Sequence, residues 1–320
     1  MNVKVSIIIP VYNVEKFIEK SVRSLFTQSL DKIEYIFIND NTSDSSIDII
    51  NTVLQDFPKR KNQIKIINHT INQGTGKSRQ EGINEARGEY IIHCDPDDWV
   101  DPEMYEKMYL TAKHEKSDLV ICNIIEEPSK NIIQTKIENG ENKNTLLDKI
   151  FKGEIHCSLT NKLIKKEIYK QIDPLFESGL NYWEDVSVLP RLIYLSNNIS
   201  FIDQPFYHYF RCNEYSYTHL WKSEYTDNVI RALEINNQFF KTRNSNISLL
   251  LIRGIALILE KENYKLGNNL QRIYQLIPKH LNYKIIRSRY RQLLTFFFIN
   301  HLDRLALILT SIKKIKTKGK

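Results

Sequence analysis

Five short runs rich in β-branched residues, separated by stretches of helical periodicity, constrain this chain more than any other feature. They are Val5-Ser6-Ile7-Ile8-Ile9, Glu34-Tyr35-Ile36-Phe37-Ile38, Ile64-Lys65-Ile66-Ile67, Tyr90-Ile91-Ile92-His93-Cys94 and Leu119-Val120-Ile121-Cys122. Each has the length of a strand, and their nearly continuous apolar character suits strands buried on both faces. Between the first two, Val14, Phe17, Ile18, Ser21, Val22, Leu25 and Phe26 recur at helical spacing. After the second, Ile47, Ile50, Leu54 and Phe57 do the same, with Ser43 or Asp44 as the expected N-cap. Pro10 is expected to end the first strand, and Gly88 to stop a helix over residues 76–87. Residues 102–115 read as another helix, with Asp101 as its N-cap. This alternation implies an α/β fold: a doubly wound, mostly parallel sheet with helices on both faces. Ligands of such sheets bind beyond the carboxyl ends of the strands.

Farther along, residues 126–144 are polar and read as a surface excursion of hairpin type. Helical signals return at about 145–170, and a loop holding Tyr182-Trp183-Glu184-Asp185 precedes a helix to about Ser196. After a segment from Gln204 to Trp221 the chain reads as mostly helical. The expected division is an α/β domain over residues 1–220 and a basic helical region over 221–320. Charge supports it: residues 241–320 hold 17 Lys/Arg and 3 Asp/Glu, whereas 1–240 hold 28 and 35. With 42% hydrophobic residues the chain can bury a substantial core. No run approaches the about 18 apolar residues of a membrane-spanning helix, and the start lacks a signal-peptide layout. Cys94, Cys122, Cys157 and Cys212 are widely spaced, against a disulfide scaffold or structural zinc and in keeping with a reducing cytoplasm.

Three acidic clusters fall where a doubly wound sheet presents its ligand. Asp95-Pro96-Asp97-Asp98 directly follows a buried strand, and carboxylates there suit a hard divalent cation whose shell is completed by phosphate oxygens. The other reading is an Asp-Pro turn. Asn39-Asp40 follows the second strand, where a carboxylate accepts hydrogen bonds from a nucleobase imide or ribose hydroxyl. Asp44 reads as a helix cap. Glu184-Asp185 opens an apolar helix, where a catalytic base and a dipole-complementing first turn are both open. Pro10-Val11-Tyr12-Asn13 stands where a dinucleotide fingerprint would need its glycines, and Gly74-Thr75-Gly76-Lys77-Ser78 lacks the spacing of a triphosphate loop.

Taken in order, these residues resemble the family 2 glycosyltransferases with the GT-A fold, over about the first 220 residues. The resemblance rests on Val5 to Asn13, on Asn39-Asp40-Asn41-Thr42-Ser43-Asp44, and on Asn72-Gln73-Gly74 with Arg79. It continues through Asn84 to Ile91, Asp95-Pro96-Asp97-Asp98, Trp183-Glu184-Asp185-Val186 and Tyr207-His208-Tyr209-Phe210-Arg211 through Ser216. Asn39 and Asn41 depart from the family's usual Asp and Gly, and Gln80 from an often-seen Asn; Asn41 tolerates the left-handed backbone a Gly would take.

The resemblance implies inverting transfer of a hexosyl or N-acetylhexosaminyl group from a nucleoside diphosphate sugar, expected to be a UDP-sugar, to a glycan or lipid-linked acceptor. Bacterial surface polysaccharide such as capsule or lipopolysaccharide is the expected product. It implies Mn²⁺ or Mg²⁺ on Asp97, with Asp95 on the metal or the ribose, the donor nucleotide on Pro10, Val11, Tyr12, Asn13, Asp40 and Arg79, and Asp185 as base, with Glu184 supporting it or binding the acceptor. Arg211 is placed at the diphosphate, with His208 either functional or packed, and Tyr182 and Trp183 either stacking on sugar or filling core. A nucleotidyltransferase would need a basic glycine-rich loop after the first strand. A non-catalytic sugar-binding protein would be expected to lack Asp97 or Asp185. The basic C-terminal region reads either as a bundle packed on the catalytic domain or on a second subunit, leaving a homodimer open, or as a peripheral contact with anionic membrane on the cytoplasmic face. Nucleic acid is disfavoured, since aromatic residues do not interleave with the basic ones.

Overall fold

The structure is a computed structural model that describes residues 3–133, 141–212, 221–243, 245–262, 266–277 and 289–300. Ser216, residues 134–140 of the expected surface excursion and the basic tail from 301 lie outside the described residues. The chain divides into two compact units, Met1–Leu147 with Ile155–Glu214 and Asp148–Glu154 with Tyr215–Lys320.

The first unit opens β1 (Val5–Val11), α1 (Ile18–Phe26), β2 (Ile33–Asn39), α2 (Ser46–Asp56), β3 (Ile64–Asn68), α3 (Thr75–Glu85), β4 (Tyr90–His93), β5 (Trp99–Val100) and α4 (Met104–His114). It continues with β6 (Leu119–Glu127), β7 (Asn131–Ile133), the start of α5 (Lys143–Lys152), β8 (Lys162–Lys165), α6 (Lys166–Tyr169), α7 (Glu184–Leu195) and β9 (Ile199–Phe210). The sheet runs β3-β2-β1-β4-β8-β6-β9-β5, with β7 paired to β6. β1, β2, β3 and β4 are mutually parallel, as are β6 and β9, while β8 lies antiparallel to both β4 and β6. The expected α/β architecture is therefore present, as a mixed but mostly parallel sheet.

Alternate residues of the strands pack two different layers, as the two-residue side-chain period requires. Val5, Ile7, Ile9 and Val11 join Val22, Leu25, Phe26 and Met104 in one continuous core on the α1 and α4 side. Ile8 faces the other way, toward α3, where a Cβ on Gly82 would strike its side chain. The sheet order reverses between β1 and β4, so their carboxyl ends form the switch point at which α/β sheets present ligands.

Several elements differ from the sequence reading. Pro10 does not end β1 but pairs with Ile38 inside it. The β4 ladder stops at Ile8–His93, so the missing Pro10 N–H points where no strand needs it. The region read as helical from 145 to 170 breaks after Lys152 and contains β8, a strand too short to show a period. The residues from Ile199 onward form β9, a twelve-residue strand whose register slips against β6 at Asn123. Gly88 is not the stop of α3, which is capped at Ala86; a side chain at Gly88 would collide with Ser6. Asp101 is not an N-cap either, since α4 begins after Glu103. The β6–β7 pair supplies the expected hairpin.

The second unit is helical among its described residues: the end of α5, α8 (Glu224–Lys241), α9 (Ser248–Lys261), α10 (Leu270–Leu276) and α11 (Arg289–Ile299). Val229, Leu233, Leu250, Ile255 and Phe298 are buried within it. Arg272 on α10 pairs with Asp227 and Glu234 on α8, and Tyr274 stacks on Phe298 at 4.7 Å. Among the described residues, no helix is long and apolar enough to cross a membrane.

Candidate active site

Arg79 gathers the site. Its side chain is 3% exposed and reaches three carboxylates contributed by distant segments. Nη1 donates to Glu184 Oε1 at 2.8 Å and to Asp185 Oδ1, and Nη2 donates to Asp95 Oδ1 at 2.9 Å. Asp95 leaves the end of β4, and Glu184 and Asp185 form the first turn of α7, where acidic side chains complement the helix dipole. Trp183, with a left-handed backbone (φ 65°), turns the chain into that helix. Arg79, expected on the donor nucleotide, thus has both terminal nitrogens engaged by protein carboxylates, and its charge holds the acidic residues together.

Burial pushes the Glu184 carboxyl up to about 8, with Asp185 adding to the rise and Arg79 opposing it. Burial raises Asp185 as well, again against Arg79. A carboxylate whose proton affinity is lifted toward neutral suits general-base work. The second oxygen of Asp185 accepts the Leu159 N–H at 3.2 Å. The loop carrying Leu159 is held by Lys162, a fully buried lysine that donates to the carbonyls of His156 at 3.0 Å and Ser158 at 2.7 Å. Burial lowers Lys162 to about 8, partly offset by Cys157, Cys122 and Asp185. Sequence reading missed Lys162; its one signal is a lysine standing in the apolar series that becomes β8.

Asp40 lies at the end of β2 as expected, but its carboxylate turns inward. It accepts the backbone N–H groups of Gln73 and Gly74 and bonds His69 Nδ1, each at 2.7 Å. A carboxylate offers about four acceptor positions, and these three bonds take most of them. Gly74 takes φ 86° here, and a Cβ on it would overlap Asn181. Asn41 adopts φ 59°, the left-handed backbone anticipated for it, and Asn39 accepts the Thr42 N–H at 2.9 Å. The N-cap of α2 is Ser45, not the expected Ser43 or Asp44; Asp44, one residue before it, accepts the N–H groups of Ser46 at 3.0 Å and Glu15 at 2.8 Å and ties α2 to the β1–α1 loop. Val11 is buried at the end of β1, and Tyr12 and Asn13 beyond it are exposed.

The remaining candidates separate. Asp97 is half-buried on the β4–β5 turn and lines a cavity of about 420 Å³ with Trp99, Phe210 and Lys20. Asp98 is buried instead, accepting the Tyr207 hydroxyl at 2.6 Å and the Phe210 N–H at 2.8 Å; burial and its acidic neighbours raise its proton affinity. It holds β9 against the turn. His208 stacks on Trp99 and bridges Glu127 at 2.9 Å and Asp101 at 3.0 Å, the packed reading of the two left open. Arg211, exposed just after β9, pairs with the largely buried Glu126 of β6 at 2.9 Å. Tyr182 and Trp183 are both half-buried. Among the described residues no group of three His, Cys, Asp or Glu side chains forms a metal cage. Asp95 and Asp97, two hard oxygen donors on the turn after β4, are both half-buried.

The profile described as glycosyl transferase family 2 matches residues 6–173. EpsH of Bacillus subtilis (strain 168), named as a glycosyltransferase, is 32% identical over 75% of this chain and 70% of its own. The poly(ribitol-phosphate) beta-glucosyltransferase of Bacillus spizizenii is 36% identical over 37% of this chain and 18% of its own. Among solved structures, S. aureus TarS 1-349 superposes with a TM-score of 0.70 at 18% identity, covering 99% of this chain and 92% of that one. That likeness establishes the GT-A-type fold. The chain belongs to glycosyl transferase family 2, and it is a glycosyltransferase.

Proposed function

We propose that this glycosyltransferase moves a sugar from a UDP-sugar to a hydroxyl of a glycan or lipid-linked acceptor in bacterial surface polysaccharide synthesis, with inversion at the anomeric carbon. The observation that carries this reading is the single buried Arg79 that joins Asp95 of the strand-end turn to the Glu184–Asp185 pair. It brings a donor-holding acid and a base of raised proton affinity to one place. Asp185 takes the proton of the acceptor hydroxyl. The freed oxygen bonds the anomeric carbon from the face opposite the donor phosphate, and the carbon–oxygen bond to that phosphate breaks, its electron pair leaving on the nucleoside diphosphate. Glu184 shares the Arg79 cation and tunes the proton affinity of its neighbour.

Asp97 and Asp95 would hold Mg²⁺ or Mn²⁺, which supplies positive charge to the leaving diphosphate. The nucleobase would lie along Pro10 to Asn13, with the remaining acceptor position of Asp40 at its edge. The choice of UDP is supported by S. aureus TarS having been solved with UDP-GlcNAc and with UDP. A surface-polymer acceptor is supported by the relative that acts on poly(ribitol-phosphate). The excess of 17 basic over 3 acidic residues in 241–320 supports work at the anionic cytoplasmic face of a membrane.

The test incubates the protein with UDP-, GDP-, CDP- and dTDP-sugars, with and without Mn²⁺, and follows nucleoside diphosphate release. The expected result is metal-requiring turnover of a UDP-sugar that Asp97→Ala abolishes. Metal-independent turnover, or full activity in that variant, would remove the proposed site.

A further inference from the structure

Arg79 keeps one donor that none of its three carboxylates uses. Its Nε, both ring nitrogens of His93 and the hydroxyl of Tyr169 are buried without a hydrogen-bond partner. His93 is 0% and Tyr169 2% exposed. The three side chains come from α3, the last residue of β4 and the last residue of α6. His93 is in register with Ile8, and Gly82, one turn beyond Arg79, packs on Ile8; Arg79 and His93 thus share one face of the sheet. The rings of His93 and Tyr169 lie 6.2 Å apart. The Arg79 cation acts electrostatically on both rings, and Asp185 acts on Tyr169.

Buried polar groups in folded proteins are nearly always paired, and where side chains do not pair each other an internal water making about three hydrogen bonds does so. The donor and acceptor inventory here is complementary to water. Arg79 Nε–H can only donate, a neutral imidazole offers one donor and one acceptor, and a phenol hydroxyl does either. One water accepting from Arg79, donating to the bare nitrogen of His93 and bonding the Tyr169 hydroxyl satisfies one polar atom on each.

We infer that Arg79, His93 and Tyr169 enclose an ordered internal water, and that His93 and Tyr169 are positioning residues that fix Arg79 and, through it, Asp185. Neither touches substrate. This inference rests on the proposed role of Asp185 for its kinetic consequence only; the water itself is independent of it.

The test has two arms. A high-resolution crystal structure of the ligand-free protein should show solvent density within hydrogen-bond distance of Arg79 Nε, His93 and Tyr169 Oη. Kinetically, Tyr169→Phe, which removes only the oxygen, should lower kcat about three- to tenfold while leaving the donor KM within about twofold. His93→Leu should do the same, and His93→Gln, which restores a donor and an acceptor, should recover most of the loss. An empty space among the three side chains would overturn the water. Wild-type kcat in both Tyr169→Phe and His93→Leu would overturn the positioning role. If no transferase activity is found in the wild-type protein, the crystallographic arm still decides the water, so the two failures are told apart.

Discussion

The Leu159 N–H donates to Asp185 Oδ2 at 3.2 Å while Arg79 holds the other oxygen of the same carboxylate. Asp185 is thereby fixed from two sides by groups that favour its ionised form, even as burial works against it. Asp185→Asn keeps the shape and removes the basicity. It is expected to lower kcat by about 10²- to 10⁴-fold with little change in the donor KM. Steady-state kinetics with saturating donor checks this; a variant within tenfold of wild type would remove Asp185 as the base.

The acidic pair dictates a pH dependence. Glu184 is raised from the usual 4.5 to about 8, chiefly by burial. Between those values the folded protein holds a proton that the unfolded chain has released, so this group's contribution to stability declines as pH climbs through the window. Activity runs the other way, because the base works ionised. Since burial raises Asp185 too, the expectation is a kcat/KM that climbs with pH from above the ordinary carboxylate range while the melting temperature falls, both read across pH 5 to 9.

Arg79→Met removes the one cation shared by three carboxylates and leaves the fold's packing largely in place. Stranding buried acids costs about 3 kcal/mol. The loss should be largest at high pH and smaller near pH 5, where the pair can neutralise itself by protonation. The midpoint of the activity profile should move to higher pH. Urea denaturation at both pH values measures the first effect, and a pH–rate profile the second.

His69 joins Asp40 to Glu81 and holds its proton more tightly than an ordinary histidine. Burial opposes that charge, but the hydrogen bonds to Asp40 and Glu81 outweigh it. A raised histidine stabilises the fold fully below its unfolded value of about 6.5, and that contribution fades as pH passes the folded value. His69→Phe should therefore cost about 2 kcal/mol near pH 6 and less at pH 9. Equal losses at both pH values would show that the ring acts by packing alone.

Gly74→Ala probes the loop that Asp40 holds. The position has φ 86°, and an added Cβ would occupy the space of the Asn181 side chain. A cost of about 1–3 kcal/mol is expected, with a weakened nucleotide affinity as the loop shifts. Thermal melting with and without UDP reads both effects.

Much of this was legible in the primary structure because the signals were local. Buried strands of β-branched residues announce themselves, and an acid that directly follows one has to be explained. Asn41 stands where the resembled family usually has Gly, and its φ of 59° is the left-handed backbone both residues tolerate. What stayed hidden was long-range. Arg79 lies 105 and 106 positions from Glu184 and Asp185, and nothing local marks which acids will meet it. β8 is four residues flanked by lysines, too brief for a period and easily absorbed into neighbouring helical patterns. Asp101 and Gly88 sit where caps belong, but tertiary partners, His208 and Ser6, claimed them.

The short strand β8 has a further implication. Two residue pairs join it to β4 and three to β6, and no other strand lies between those two halves of the sheet. Because α6 follows it without a break and α7, which carries Glu184 and Asp185, comes soon after, this seam is also the path by which the acidic pair is stitched to the strands that precede it. A change that weakens this four-residue strand therefore loosens both halves of the sheet at once.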